Sequence, residues 1–279
     1  MLDSQELHFC SISYFSRFQM QSWLGRFHKL VLKFAGEIGQ ELTHFELWPH
    51  DENARSKPYR YIKRNEGRFL EACKENLAKG IDFYSLGADK DFIEAPFAFG
   101  MADRKNETGY GIVLFHCNLD LLEASHSRFH FGQELLGDIS SLADIRYGLV
   151  DVMESRKYPG LYFLDSASSI YLTPEEEQDV ARWRKEGSRF ETVVRNAYWG
   201  NILSSGHWGN DPERGRNLVN EIESECGADI SWINERTVFF CAPVDILDHK
   251  RKRGEIEAFK RRLLQVYKNH DIEVLAGVP

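Results

Sequence analysis

The densest cluster of histidine and carboxylate side chains lies at residues 44–50 (HFELWPH). In a strand, His44 and Glu46 share one face, so the two could bind one metal ion. His50 follows Pro49 in a predicted loop, and this spacing differs from that of helix-borne zinc sites. His44, Glu46 and His50 therefore define one hypothesis, a metal-dependent hydrolase. The alternative is a solvent-facing strand edge without ligands.

Other catalytic patterns are absent from the sequence. It has no Gly-x-Ser-x-Gly elbow, no phosphate-binding GxxxxGK[ST] loop and no GxGxxG motif. The five cysteines are an odd number and form no CxxC pair, which argues against a disulfide framework or a thiolate zinc site. We therefore expect a protein that is not an enzyme and carries no cofactor.

Acidic residues are concentrated in a few segments. One group, in a predicted loop, is Asp89, Asp91 and Glu94. A second group, near the end of a predicted helix, is Glu221, Glu223 and Glu225, followed by Asp229. Carboxylates disfavour a helix C-terminus, so we expect compensation by a basic partner protein or by the basic run at residues 249–253. Both groups are candidate partner-binding residues.

Two segments could supply an aromatic anchor for a partner. Trp48, beside Pro49 at a predicted strand end, is the first candidate, unless it folds back onto the core. Residues 196–201 (NAYWGN) are the second, but the favoured explanation for them is a helix that packs on the sheet with a glycine at the contact. Large aromatic side chains dominate the energy of many interfaces.

Composition is that of a folded protein with no nucleic-acid preference. The chain has 279 residues, of which 42% are hydrophobic and 13% aromatic, too many for a disordered protein. The net charge of −8 argues against general nucleic-acid binding and suits either solubility or a basic partner. We find no secretory signal at the start and no run long enough to span a membrane, so we expect a cytoplasmic location.

The first half reads as β-α-β-α-β-β-β. Apolar residues at the three-four spacing from Met20 to Ile38 predict a long amphipathic helix that begins at a Ser16 cap and ends at Gly39. A short second helix is predicted to end at Gly80, and residues 49–64 are predicted to form a loop.

The second half is predicted to start with another long helix, from Leu135 to Met153. Thr173 and Asp211, each followed by proline, are typical helix starts. A hairpin is expected around residues 234–236, then a last helix and strand. We predict an α+β fold, with mixed or antiparallel sheets and long amphipathic helices packed on one face. Two similar lobes, 1–117 and 118–279, are expected, or one continuous domain.

Three segments of the second half resemble a known family. They are residues 158–163 (YPGLYF), 197–203 (AYWGNIL) and 237–243 (TVFFCAP). They are similar to the strand entry after a long helix, the "W-L-x-x-L" segment and the late "A-G-x-x-P" strand of the type VI secretion immunity proteins against VRR-Nuc-type effectors. Pro243 stands where that family has glycine, and the following Gly-Asp is missing.

The resemblance implies an α+β immunity protein that neutralises a toxin by direct binding and has no catalytic residues. Its partner would be a secreted effector, a nuclease for this family, with a basic surface complementary to the acidic chain. The competing hypotheses are the hydrolase with His44, Glu46 and His50, and a regulatory α+β protein without a toxin partner.

Overall fold

The computed structural model describes residues 7–16, 20–49, 57–60, 65, 67–69, 71, 78–86, 95–103, 110–124, 130–140, 144–154, 172–186 and 189–275. The helices are α1 (Met20–Glu37), α2 (Leu119–Ala124), α3 (His130–Ser140), α4 (Pro174–Glu186), α5 (Pro212–Cys226) and α6 (Arg253–Asn269). The strands are β1 (Leu7–Phe15), β2 (His44–Pro49), β3 (Lys57–Arg60), β4 (Ala78–Ser85), β5 (Phe97–Asp103), β6 (Gly111–Asn118), β7 (Ile145–Glu154), β8 (Val193–Val194), β9 (Gly200–Ser204), β10 (Asp229–Asn234), β11 (Thr237–Cys241) and β12 (Glu273–Val274).

A ten-stranded sheet organises the protein. Its strand order is β10-β11-β9-β7-β1-β6-β5-β4-β2-β3, and all its neighbouring strands are antiparallel. Strands β8 and β12 form a separate parallel pair. The α+β class is confirmed. The sheet runs without interruption past residue 117, where we predicted a division into lobes, and that division stays a prediction.

Helices cover both faces of the sheet, whereas the sequence predicted helices on one face. Phe27 of α1 packs edge-on against Phe99 of β5, at a ring-centroid distance of 5.0 Å. On the opposite face, Trp183 of α4 packs edge-on against Tyr14 of β1, and its indole N–H donates to the Tyr14 hydroxyl at 3.0 Å. The central strands are therefore covered from both sides, which explains why β1 is buried along almost its whole length.

One predicted element is wrong. The expected long helix from Leu135 to Met153 is helix α3 followed by strand β7. Residues 145–152 are buried on both faces, with Arg146 partly buried, and a two-sided apolar run has no clear period that separates strand from helix. Gly148 also allows β7 to lie close to β1, because a Cβ added at this position would lie only 2.9 Å from the backbone oxygen of Ile12.

Smaller differences concern the first half and the segment before Gly200. Part of the predicted 49–64 loop, Lys57–Arg60, is the edge strand β3, where Pro58 is tolerated because an edge residue need not donate. Gly80 lies inside β4 rather than at a helix end. Residues 196–199 are not helical, and both Tyr198 and Trp199 are buried, so neither forms an exposed anchor.

The predicted helix boundaries are largely correct where the structure describes them. The Ser16 cap involves residues 17–19, which lie outside the described part, but α1 does end before Gly39, whose φ is +67°. Thr173 and Glu176 form a reciprocal capping box at the start of α4. The Asp211 carboxylate accepts hydrogen bonds from the backbone at the start of α5.

Within the described ranges, no helix has the length and apolar character needed to cross a membrane. The four cysteines that fall in those ranges are buried and unpaired. They therefore behave as small core residues there, and Cys73 lies outside the described part.

We expect Phe27→Ala to destabilise the protein by about 3–5 kcal/mol, the cost of removing a fully buried phenylalanine. Leu32→Ala, on the exposed side of the same helix and 45% accessible, is the matched control and should have little effect. Urea unfolding measures both. Equal midpoints for Phe27→Ala and the wild type would show that α1 does not contribute the expected core face.

Candidate functional site

Three residues of the 44–50 segment lie on one face of β2. His44, Glu46 and Trp48 alternate with Phe45 and Leu47, and they point to the sheet face opposite α1. The shared face of His44 and Glu46 is thus confirmed. His50 lies outside the described residues.

A buried carboxyl pair occupies this face. Asp82 of β4 lies directly opposite Glu46, and the two residues are 8% and 9% exposed. The indole N–H of Trp48 donates to the Asp82 Oδ2 at 2.7 Å. Burial, with the neighbouring Glu46 charge, raises the pKa of Asp82 to about 7, although the Trp48 hydrogen bond acts in the opposite direction. Asp82 is therefore a proton-binding group near neutral pH.

Space for the Asp82 carboxyl comes from Gly100 on β5. A Cβ built at Gly100 would lie 1.8 Å from the Asp82 Oδ1, which is far inside van der Waals contact. Any larger residue at position 100 must therefore displace the carboxyl group. No sequence pattern indicated this contact, because Asp82 and Gly100 come from different strands.

His44 is already engaged. Its Nδ1 lies 2.8 Å from the Thr43 Oγ1, and its ring stacks on Tyr84 with a 5.7 Å centroid distance. A search of the described residues finds no group of three or more histidine, cysteine, aspartate or glutamate side chains placed to hold a metal. The His44, Glu46 and His50 site stays a prediction, because His50 lies outside the described residues.

Trp48 is a half-buried strand residue that packs against the main core. Its N–H group is committed to Asp82, so the side chain is tied to the sheet. This geometry agrees with the alternative in which Trp48 folds back on the core. A half-buried indole offers a partner less accessible surface than an exposed one.

The acidic residues of α5 differ in their surroundings. Glu221 accepts hydrogen bonds from the Asn269 side chain at 2.7 Å, and its second oxygen lies 2.9 Å from the His270 Nε2. These contacts lower the pKa of Glu221 and tie α5 to the end of α6. Compensation therefore comes from residues 269–270, not from the basic run 249–253. Glu223 and Glu225 are exposed, whereas Asp89, Asp91 and Glu94 lie outside the described residues.

The most exposed aromatic side chain of the described residues is Trp232, which sequence reasoning missed. It is 46% exposed and lies on β10, an edge strand of the sheet. Four exposed carboxylates lie near Trp232 in the sequence. Two are in the last turn of α5, and one is at each end of β10. We call this set the acidic edge: Glu223, Glu225, Asp229, Trp232 and Glu235. A tryptophan in the outer strand of the predicted hairpin was the available signal.

A row of polar residues crosses the centre of the same sheet face. Cys10 lies between His116 and Asp151 in the strand register. Burial raises the pKa of the Cys10 thiol well above its usual value and lowers the pKa of His116 to about 3. Lys260 Nζ pairs with the Asp151 Oδ2 at 2.8 Å. At neutral pH the row holds a thiol and a neutral imidazole, so the thiolate that nucleophilic catalysis requires is disfavoured.

Comparison with solved structures gives a likeness in fold. No protein-family model matches the sequence, and no curated protein matches it. The solved structure of a Pseudomonas aeruginosa T6SS protein, PA0821, matches 98% of this chain and 76% of that chain, with a TM-score of 0.57 and 11% identity. The two chains share a fold. At this identity the likeness extends to the fold alone.

We expect the stability of the protein to fall as the pH rises from about 4 to about 7. The folded state keeps the Asp82 proton up to about pH 7, whereas an unfolded aspartate loses it near pH 3.9. The contribution is therefore present at low pH and lost through this window, by at most about 4 kcal/mol at 1.4 kcal/mol per pKa unit. Urea unfolding from pH 4.5 to 8 measures it.

Asp82→Asn should flatten this dependence and raise the stability above pH 7 relative to the wild type. Glu123→Gln, an exposed carboxyl-to-amide change, is the matched control and should leave the dependence intact. An unchanged slope in Asp82→Asn would show that another group binds the proton.

Proposed function

We propose that this chain is a non-catalytic immunity protein, which acts in the cytoplasm and neutralises a type VI secreted toxin by binding it directly. The fold likeness to a T6SS protein over 98% of the chain carries the proposal. The resemblance of residues 158–163, 197–203 and 237–243 to an immunity family points in the same direction and implies a nuclease as the toxin.

The acidic edge is the surface that best fits such a role. A net charge of −8 and exposed Glu223, Glu225 and Asp229 favour a partner with a basic surface, because opposite charge accelerates association. Trp232 supplies the exposed aromatic that we expected of Trp48. Its accessible indole can be buried by a partner without disturbing the sheet.

The proposal predicts a toxin gene beside the gene for this chain, and it is tested in cells that express that toxin. Cells that also express the chain should survive, and the chain should co-purify with the effector. Loss of viability at equal expression of both proteins would overturn the proposal. Stoichiometric metal in the purified chain, together with hydrolysis that depends on His44, would favour the hydrolase hypothesis instead.

We expect Glu223→Lys/Glu225→Lys to slow association with the effector by about tenfold at low salt, since it removes part of the attractive field. Glu175→Lys/Glu177→Lys on α4 is the matched control, with the same spacing and the same charge change on exposed residues. Stopped-flow or surface-plasmon measurements over a salt series give the rates.

Equal slowing in both variants would indicate an effect of net charge alone and would remove the acidic edge from the contact surface. Melting curves of both variants show whether folding is intact. Lysine near a helix C-terminus interacts favourably with the helix dipole, so the α5 variant should remain folded.

A further inference from the structure

Strand β10 has an outer edge to which no strand in the described part of the chain is paired. Exposed edges attract other strands, so natural proteins usually shorten, charge or bulge them. The register of β10 on β11 is regular from Asp229 to Trp232 and is then interrupted at Ile233. A four-residue stretch is therefore available for pairing, and the irregularity after it limits its length.

A cleft adjoins this edge, on the sheet face that α1 and α3 cover. It has a volume of about 170 Å³ and lies between α3 and β10. An apolar cavity of about 150 Å³ is large enough for benzene, so the cleft can take one aromatic or aliphatic side chain. The cleft is lined by residues 136, 137 and 140 of α3, by residues 231–233 of β10, which include Trp232, and by Phe239.

Gly137 is one of the residues that line the cleft. It is exposed on α3, and a Cβ built at this position would meet no atom within 4 Å. A side chain added there would therefore meet no steric obstacle. Glycine in a helix interior is otherwise unfavourable by roughly 0.5–1 kcal/mol relative to alanine.

The acidic residues at the two ends of β10 favour a basic strand over a second copy of this chain as the occupant. Asp229 begins the strand and Glu235 follows it. If a second copy added its own β10, an antiparallel pairing would bring Asp229 towards Glu235, and a parallel pairing would align identical acids. Both arrangements place like charges together. A strand that carries lysine or arginine is complementary in either direction.

We propose that β10 accepts an extended basic segment of a partner protein, which adds an eleventh strand to the sheet and inserts one apolar side chain into the cleft beside Gly137. Successive residues of an added strand point to opposite faces, so a neighbouring side chain would lie against Trp232. The inference rests on the proposed binding function and specifies the surface and the chemistry of the partner.

The test uses the full chain and synthetic peptides. The probe is the acetylated, amidated peptide Lys-Thr-Lys-Phe-Lys-Thr-Lys. Three comparison peptides replace its lysines by glutamate, replace its phenylalanine by serine, or methylate alternate backbone nitrogens. Calorimetry gives the affinity, and hydrogen exchange reports protection of the amides at 229–232.

The probe should bind and protect this stretch. The glutamate and N-methyl peptides should not bind. The serine peptide should bind about tenfold or more weakly, because it loses the burial of one large apolar side chain.

Gly137→Gln is the decisive variant. Glutamine is a good helix former and fills the cleft, so the probe should bind at least about tenfold more weakly while the protein melts at the same or a higher temperature. Gly25→Gln is the matched control, since Gly25 is also an exposed helical glycine with no atom near an added Cβ. It should bind the probe like the wild type.

Three results would overturn the inference: no binding of the probe, equal binding of the N-methyl peptide, or equal binding by Gly137→Gln. Dimerisation of the free chain that Gly137→Gln abolishes would also overturn it, since the occupant would then be a second copy. Protection of cells distinguishes this failure from that of the proposed function. If wild type and Gly137→Gln protect equally, the docking surface is wrong and the function stands; if the wild type gives no protection, the function itself fails.

Discussion

The double pairing of β1 is the constraint on which the sheet depends. This first strand pairs with β6 along one edge and with β7 along the other, so it joins residues near position 7 to residues 118 and 154. Most of its residues are buried, including Ser11 and Ser13. Without β1 the other nine strands would separate into β6-β5-β4-β2-β3 and β7-β9-β11-β10. Such long-range pairing is characteristic of slowly folding topologies.

The two ends of the sheet are protected in different ways. At one end, β3 contains Pro58, which has no amide hydrogen to offer to a further strand. At the other end, β10 relies on acidic residues and on an irregular register after Trp232. Charge repels only strands of the same sign, so the second kind of protection is selective. Proline at β3 disfavours pairing with any further strand, whereas the charges at β10 disfavour acidic strands in particular.

Local signals in the sequence predicted local structure well. The spacing of Trp23, Phe27 and Phe34 identified α1, and the cap residues Thr173 and Asp211 marked two helix starts. The class of fold followed from these elements. The prediction of one helix from Leu135 to Met153 was wrong. Strand β7 is covered on both faces, and this removes the alternation of apolar and polar residues that identifies a strand.

The candidate sites were harder to predict because their parts meet only in three dimensions. The common face of His44 and Glu46 followed from strand geometry alone. Asp82 lies 36 positions after Glu46 in the sequence, and strand pairing brings it next to Glu46 on the same face. The exposure of Trp232 depends on the position of β10 at the end of the sheet, and no sequence pattern states which strand is last.

The contact between Gly100 and Asp82 has a consequence for how this protein can change over time. The carboxyl group of one residue fills the volume that a side chain of the other would need. Neither position can therefore drift independently. Relatives with alanine or serine at position 100 should carry a smaller residue at position 82. In those relatives the Trp48 indole would have no carboxylate to donate to, so other residues should be tolerated at position 48. We therefore expect these three positions to change together in any relative of this chain.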